Sequence, residues 1–190
     1  MTGTIAGHVV RRARAGDARG CARVYVDAWR DAYAGLVPDR ALLAMSRERQ
    51  ERYWAAAIAD GNRQTLRGAV HVAEADGGIV GVTSFGVSRK PDFGYRGEVF
   101  TLYVAGDHQG LGIGRDLLRR GLAGLRDAGC VPAFVWVLSG NPSRFFYDAM
   151  GGTKVAEKRE ELWGALLDQE AWGWPDPAAF LDRDGPCSTR

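Results

Sequence analysis

The chain has 190 residues, of which 46% are apolar and 25% are charged, as is typical of a soluble globular protein. Its 25 basic and 23 acidic residues are spread along the chain, so no basic run predicts binding to nucleic acid. No apolar run approaches the roughly 20 residues that a membrane-spanning helix needs. We therefore expect one domain over residues 1–181, a poorly ordered tail over residues 182–190, and no contact with nucleic acid or membrane.

The cysteine pattern bears on metal binding and on location. Cys21, Cys130 and Cys187 are far apart and odd in number. They form neither a zinc spacing nor a disulfide framework. No signal peptide is visible at the N-terminus. These features predict a cytoplasmic protein with no metal site.

The first half of the chain combines short strands with two helical stretches. In chain order we predict a strand at 9–14, a helix at 17–34 with Asp17 as N-cap, a helical stretch that ends at 61, and strands at 70–74 and 79–87. The last two strands are separated by Asp76-Gly77-Gly78, which is typical of a hairpin turn.

In the second half, strands and helices alternate before a final pair of strands. The predicted elements are a strand at 98–105, a helix at 112–128, a strand at 133–138, a helix at 141–150, and strands at 153–158 and 161–167. The unbroken apolar run at 133–138 indicates a strand that is covered on both faces. The order of elements predicts an α/β or α+β domain built on a mixed sheet.

A glycine-rich loop, Gln109-Gly110-Leu111-Gly112-Ile113-Gly114, lies between a predicted strand and a predicted helix. Its glycines allow a sharp turn and a close approach to a ligand, and the helix N-terminus favours an anion. No Lys-Ser or Lys-Thr follows, which excludes a Walker A loop, and the dinucleotide fingerprint lacks its last glycine. The remaining Gln-x-x-Gly-x-Gly pattern occurs about once by chance in a chain of this length, so its neighbours decide its meaning.

Those neighbours carry a family resemblance. Residues 98–104, the loop with its helix, and the segment 141–152 with its Phe-Tyr and Gly-Gly pairs occur in the order seen in the GNAT superfamily of N-acetyltransferases, which the chain resembles from residue 9 to about residue 174. The resemblance implies a mixed, mostly antiparallel sheet of six or seven strands flanked by helices. It also implies a homodimer that uses acetyl-coenzyme A and transfers acetyl directly to an amine, without a metal.

The same resemblance implies which residues hold the coenzyme. The main chain of Leu102, Tyr103 and Val104 would pair with the pantetheine arm, and the glycine loop would surround the pyrophosphate. Arg115 or Arg144 would pair with an outer phosphate, and Asn141 would both cap its helix and contact the coenzyme. The predicted coenzyme-binding residues are Leu102, Tyr103, Val104, Gln109, Gly110, Leu111, Gly112, Ile113, Gly114, Arg115, Asn141 and Arg144.

Two residues are candidates for proton transfer. Glu98 matches a position where some family members keep a glutamate base, acting directly or through water. Period-two alternation places it on one face with Phe100, Leu102 and Val104. Tyr147 is the candidate general acid for the departing thiolate, because the pKa of a phenol lies above that of a thiol. The alternatives are a solvent-facing glutamate at a strand edge and a tyrosine that only packs.

The acceptor amine is less well specified. Tyr25, Trp29 and Tyr33 recur every four residues on the first helix, which predicts core packing. The resemblance places Trp29 and Tyr33 beside the acceptor as the alternative. Small primary amines and the α-amine or a lysine of a peptide both stay open. A non-catalytic acyl-coenzyme A-binding module of the same fold is the rival function, and a nucleotide-binding α/β protein is the third.

Overall fold

The structure is a computed structural model that describes residues 7–63, 69–89 and 94–182. All seven described strands belong to one sheet in the order β1-β2-β3-β4-β5-β7-β6. They are β1 (Val9–Arg12), β2 (Ala69–Ala75), β3 (Gly78–Val87), β4 (Gly97–Val104), β5 (Ala133–Leu138), β6 (Thr153–Leu162) and β7 (Ala165–Trp174). Every neighbouring pair is antiparallel except β4 and β5, which are parallel. The predicted mixed, mostly antiparallel sheet is confirmed.

Helices cover both faces of this sheet. They are α1 (Ala18–Tyr33), α2 (Asp39–Leu43), α3 (Arg47–Arg63), α4 (Ile113–Asp127), α5 (Ser143–Ala149) and α6 (Ala178–Leu181). None of them, within the described ranges, is long and apolar enough to span a bilayer. The predicted tail lies outside the described residues from position 183 onward.

Alternation along β2 shows how the two faces are assigned. Val72 packs in one cluster with Val24 of α1 and Trp54 of α3, whereas Ala73 packs in another with Leu117 of α4. Successive side chains of a strand point to opposite faces. The sheet therefore has an α1 face, covered by α1 and α3, and an α4 face, covered by α4.

The apolar spacing of α4 explains its position. Leu117, Leu118, Leu122 and Leu125 recur at helical intervals and are almost completely buried. Asp17 lies at the N-cap position of α1, as predicted, but its carboxylate accepts hydrogen bonds from the side chain of Arg11 at 2.7 and 2.9 Å and from the backbone N–H of Arg14 at 2.7 Å. It therefore ties β1 to the start of α1 without capping the helix.

A bulge interrupts β4 at the centre of the sheet. Ser84 of β3 pairs with Thr101, but the next residue, Phe85, pairs with Val99, so Phe100 has no partner in β3. An extra residue of this kind breaks the alternation of side chains. Val99 and Leu102 consequently pack in the same cluster on the α4 face. The prediction that Glu98 shares a face with Leu102 and Val104 is wrong for this reason.

Immediately beyond the bulge, β4 and β5 separate. Their parallel pairing is confined to Gly97, Glu98 and Val99 opposite residues 133–135. From Phe100 onward, no described strand pairs with the edge of β4 that faces β5. The two strands therefore open into a V-shaped gap at the middle of the sheet.

Two predicted stretches are divided differently in the structure. The second helical stretch is two helices, α2 and α3. The terminal hairpin turns at Trp163-Gly164, with φ of 52° and 76°, and each of its strands has 10 residues. Glycine favours such left-handed backbone and tryptophan does not, so the sequence offered no turn residue at the first position.

Candidate active site

A cleft of about 690 Å³ occupies the gap between β4 and β5. Its walls come from α1, β4, the glycine loop, β5 and α5. The predicted site residues that line it are Tyr33, Leu102, Tyr103, Val104, Gln109, Gly110, Leu111, Gly112, Gly114, Arg115, Asn141 and Tyr147. Glu98, Ile113, Arg144 and Trp29 were also predicted at the site but are not among the described lining residues.

The glycine loop leads into the N-terminus of α4. Gly110 and Gly112 have positive φ of 77° and 81°, and no atom lies within 4 Å of where a Cβ of Gly110 would be. Gly112 is the N-cap of α4, and no side chain caps the helix. The first N–H groups of a helix have no partners within it. The loop therefore offers open N–H donors and the positive end of the helix dipole to an anion.

Two residues of the glycine loop attach it to the neighbouring strand and core through their side chains. The Gln109 amide donates a hydrogen bond to the carbonyl oxygen of Val104 at 3.2 Å, which fastens the loop to the end of β4. The side chain of Ile113 is 2% exposed and packs in the core with Leu117. Only the main chain of Ile113 can therefore make the predicted contact with the pyrophosphate.

The two arginines proposed for an outer phosphate are placed differently. Arg115 lines the cleft, with its side chain about half exposed. Arg144 is bound to Glu170 at 3.4 Å and stacks over Phe145 at 4.7 Å. The geometry favours Arg115 for this contact.

Asn141 holds the start of α5. Its side-chain oxygen accepts a hydrogen bond from the backbone N–H of Ser143 at 2.8 Å, and the residue is 4% exposed. The N-cap position of α5 is Pro142, so Asn141 binds the first N–H of the helix from one residue before the predicted cap position. Asn141 and Ser143 both line the cleft.

A group of tyrosines surrounds the centre of the cleft. Tyr147 is 5% exposed, and its ring makes an edge contact with Trp174 at 6.2 Å. Burial, with a smaller effect of the Tyr33 phenol, raises the pKa of Tyr147 above its ordinary value. The Tyr33 and Tyr103 hydroxyl oxygens are 3.4 Å apart, and burial also raises the pKa of Tyr103. The phenols of Tyr147 and Tyr103 therefore hold their protons at neutral pH.

Glu98 is buried beside the cleft and bound to an arginine. Its carboxylate receives hydrogen bonds from Arg89 Nη2 at 2.7 Å, from Arg89 Nε at 3.4 Å and from the backbone N–H of Arg89 at 3.1 Å. The same guanidinium stacks over the ring of Phe100 at 4.6 Å, and Phe100 lines the cleft. Hydrogen bonding to Glu98 raises the pKa of Arg89. Glu98 is neither exposed to solvent at a strand edge nor in direct contact with the cleft.

Trp29 and Tyr33 belong to an aromatic group on the α1 face. Trp29 is 2% exposed, with its ring centre 5.0 Å from that of Tyr33 and 5.3 Å from that of Trp163 at the hairpin turn. Arg40 of α2 donates a hydrogen bond to the carbonyl oxygen of Gly164 at 3.0 Å. Tyr33 thus lines the cleft, whereas Trp29 is a core residue behind it.

The described cysteines lie away from the cleft. Cys21 and Cys130 are free and buried, and burial raises the pKa of Cys21 to about 12. A thiol of that kind is a poor nucleophile at neutral pH. Within the ranges that the structure describes, no group of three or more His, Cys, Asp or Glu side chains is arranged to hold a metal ion.

Several site residues were not predicted from the sequence. Phe100 and Thr101 line the cleft because of the bulge, and the Thr101 hydroxyl is 2.6 Å from that of Ser84. Trp136 also lines it, although it lies within the apolar run of β5. Arg89 gave no signal, because nothing in the local sequence connects it with Glu98. For Trp136, the one signal in the sequence was a tryptophan within a strand that was predicted to be buried on both faces.

Comparison with known proteins agrees with this architecture. Residues 21–151 match the Acetyltransferase (GNAT) family. The chain is 34% identical over 171 residues to the uncharacterized N-acetyltransferase YuaI from Bacillus subtilis, covering 90% of this chain and 95% of that one.

Two of the solved structures that share the fold contain coenzyme A or acetyl-CoA. PaiA N-acetyltransferase from Thermoplasma acidophilum, in complex with coenzyme A, has a TM-score of 0.67 at 19% identity, covering 86% of this chain and 98% of that one. YncA from Salmonella typhimurium, solved with its cofactor acetyl-CoA, has a TM-score of 0.65 at 24% identity, covering 96% of this chain and 99% of that one.

Proposed function

Because the chain belongs to the GNAT family of acetyltransferases, we propose that it transfers acetyl from acetyl-coenzyme A directly to a primary amine. The observation that carries this proposal is the V-shaped gap between β4 and β5, which ends at an uncapped helix N-terminus. An elongated thioester with an anionic end matches a cleft of that shape. The acceptor is a small-molecule amine or a peptide amine.

The donor end of the cleft consists of residues 102–104 and the loop at 109–114. Here the free edge of β4 has main-chain groups for an extended amide chain. The uncapped N-terminus of α4, together with Arg115, supplies hydrogen-bond donors and positive charge for a pyrophosphate. The open space at Gly110 leaves room for a phosphate to approach the backbone. These residues fit coenzyme A.

The acceptor end consists of the lining residues Tyr33, Phe100 and Trp136 and of the Arg89–Glu98 ion pair beside Phe100. Bound acetyl-coenzyme A supplies a thioester. The amine nitrogen bonds to its carbonyl carbon, which becomes the amide carbon of the product, as the carbon–sulfur bond breaks and a thiol leaves. The amine must lose a proton, since an alkylammonium has a pKa of about 10. We assign that proton to Glu98. Because Glu98 does not line the cleft, we propose that the proton passes through a water molecule.

Tyr147 is our candidate for the acid that protonates the leaving sulfur. It lines the cleft between the two ends, and burial raises its pKa, so the hydroxyl carries a proton to donate throughout the neutral range. A buried thiol such as Cys21 is badly placed to take the acetyl group first. We therefore favour direct transfer over an acyl-enzyme.

The first experiment follows thiol release from acetyl-coenzyme A with a panel of amines and peptides, and measures the product mass. Thiol release with acetylated product supports the proposal. Coenzyme A binding without thiol release across the panel would favour a non-catalytic module of the same fold. A thermal shift with ATP or NAD in place of coenzyme A would favour a nucleotide-binding protein.

The role of Glu98 is tested with Glu98→Gln. We expect kcat to fall by about 100-fold at neutral pH. The loss should shrink toward pH 10, where the acceptor amine is increasingly neutral in solution. Glu170→Gln is the matched control, because Glu170 is also buried and bound to an arginine. That arginine stacks over Phe145, which is not among the described lining residues, whereas the arginine bound to Glu98 stacks over Phe100, which is. Equal losses in the two variants, independent of pH, would remove Glu98 from the mechanism.

The free cysteines and the family resemblance bear on location and assembly. We propose a cytoplasmic protein, because reducing compartments preserve free thiols such as those of Cys21 and Cys130. We propose a homodimer by the family resemblance alone. Sedimentation velocity of the purified chain distinguishes this state from a monomer.

A further inference from the structure

The ion pair at the acceptor end is strongly asymmetric in its exposure. The Arg89 side chain is 69% exposed, whereas that of Glu98 is 4% exposed. Arg89 is not among the described lining residues, but its guanidinium stacks over Phe100, which is. A group that extends past Phe100 would therefore meet the guanidinium and not the carboxylate. The approach of a positively charged acceptor is disfavoured at this point, and that of an anionic group is favoured.

The exposed guanidinium can bind a second carboxylate. Arginine carries five N–H donors in a planar fork. Glu98 is bound through Nε and Nη2, so the edge containing Nη1 is directed away from Glu98. Stacking over Phe100 at 4.6 Å holds the plane of the fork against a ring that lines the cleft. Arginine is preferred wherever a planar carboxylate is recognised by two parallel hydrogen bonds.

The charge and the aromatic character of the cleft lining also favour an acceptor with an anionic group. The described lining residues include no Asp or Glu, and Arg115 at the donor end is the charged side chain among them. The lining residues of the acceptor end are instead aromatic: Phe100, over which Arg89 stacks, and Tyr33 and Trp136. An acceptor with several positive charges would find no counter-charge among these described residues. An acceptor with one amine, an apolar part and an anionic group would match both the aromatic lining and the positive charge of Arg89.

We propose that the acceptor carries a carboxylate a few bonds from its amine, as an α-amino acid does, and that Arg89 binds this carboxylate. The short separation follows from the contact between Arg89 and Glu98. A carboxylate on the outer edge of the guanidinium lies close to the residue assigned to receive the proton of the amine. The inference rests on the proposed function, and it narrows the acceptor within that function.

The test compares amino acids with the amines that lack their carboxylate: phenylalanine with phenethylamine, leucine with isoamylamine, and tryptophan with tryptamine. In the wild type we expect kcat/KM to be at least about tenfold higher for the amino acid of a pair, as for one charged hydrogen-bond interaction. Arg89→Gln should lower kcat/KM more for the amino acid than for the amine, so that the ratio falls toward one. Arg89→Lys keeps the charge without the fork and should give an intermediate ratio.

Arg126→Gln is the control, because Arg126 is also an exposed arginine paired with a carboxylate, Asp127, at the far end of α4. It should leave the ratio unchanged. A thermal melt of each variant checks that the fold is kept. Equal losses for both members of every pair in Arg89→Gln would overturn the proposal, because a residue that only holds Glu98 in place would give that result.

Results with other acceptors distinguish failure of this inference from failure of the proposed acetyltransferase function. Preference of the wild type for the decarboxylated amines, or for a peptide with a C-terminal amide, would overturn the carboxylate proposal and leave amine acetylation intact. Absence of thiol release with every acceptor would contradict the proposed function and the inference together.

Discussion

The donor end of the cleft is built from main-chain groups of nearly consecutive residues, whereas the acceptor end is built from side chains of separate elements. At the donor end, the free edge of β4 runs into the loop at 109–114 and the start of α4. At the acceptor end, Tyr33 comes from α1, Arg89 from the loop after β3, and Trp136 from β5. A main-chain site depends on a local pattern, but a side-chain site depends on how distant elements pack.

This difference has a kinetic consequence. Changes at the donor end should alter the KM for acetyl-coenzyme A, and changes at the acceptor end should alter the KM for the acceptor. We assign Tyr147, which lines the cleft, to the point where the two ends meet, and changes there should act on kcat. Variants at Tyr147, at the donor end and at the acceptor end test whether the two KM values change independently.

The largest effect is expected for Tyr147→Phe. The hydroxyl is the only group lost, and general acid catalysis contributes about 100-fold or more to kcat. Because burial raises the pKa of Tyr147, the wild type should show no loss of activity from ionisation of this phenol between about pH 7 and pH 10. Steady-state kinetics across that range, with both substrates varied, checks both statements.

Tyr103→Phe is the matched control for Tyr147→Phe. Tyr103 is another buried phenol that lines the cleft, and burial raises its pKa as well. It should change kcat by about twofold at most. Unchanged turnover in Tyr147→Phe would show that the sulfur leaves without this acid, and the junction between the two ends would lose its assigned role.

The fold and the donor end were largely predictable from the sequence. The apolar spacing of α4 and the glycines at 110 and 112 act over a few residues, so the sequence itself contains the pattern. The sequence left open whether Arg115 or Arg144 lines the cleft and where the Ile113 side chain packs, because residues of a loop or a short helix alternate between the cleft and its surroundings. Their direction depends on packing against Leu117 and Glu170, which no local pattern reveals.

The acceptor end was mostly invisible in the sequence. Arg89 and Glu98 lie on either side of the connection between β3 and β4, and their pairing depends on a register that includes the bulge at Phe100. Trp163 occupies a left-handed position where tryptophan is unusual. It is held there by contacts with Trp29 and Tyr33, which are distant in sequence. Tertiary packing overrides local preference at each of these points.

An intermediate effect is expected for Gly112→Val at the donor end. With φ of 81°, Gly112 adopts a backbone that a β-branched residue reaches only under strain, at a cost of about 1–3 kcal/mol. The cradle should distort, and the affinity for coenzyme A should fall by about tenfold or more. Isothermal titration measures this loss, and the KM for the acceptor should not change.

Gly129→Val serves as the control for Gly112→Val. Gly129 also has positive φ, 67°, with no atom within 4 Å of the position that a Cβ would take, and it follows the opposite end of α4. It should lower the melting temperature to a similar extent without changing the affinity for coenzyme A. Equal losses of affinity in both variants would attribute the effect to general destabilisation and would break the separation of the two ends.

The smallest effect is expected for Trp163→Ala, which acts on the acceptor end through Tyr33. The substitution removes the ring contacts at 5.3 Å with Trp29 and 6.2 Å with Tyr33. Alanine keeps a Cβ, so the backbone strain at φ of 52° stays the same. An aromatic contact is worth about 1 kcal/mol, so the KM for the acceptor should rise by about threefold to fivefold. The KM for acetyl-coenzyme A should not move.

Leu166→Ala separates this effect from loss of apolar surface on the same hairpin. Leu166 is 61% exposed in β7, so its truncation should change either KM by about twofold at most. If Trp163→Ala raised both KM values together, the hairpin would be stabilising the whole cleft, and the two ends would not be independent. If it raised neither, Tyr33 would hold its position without Trp163, and the acceptor wall would end at α1.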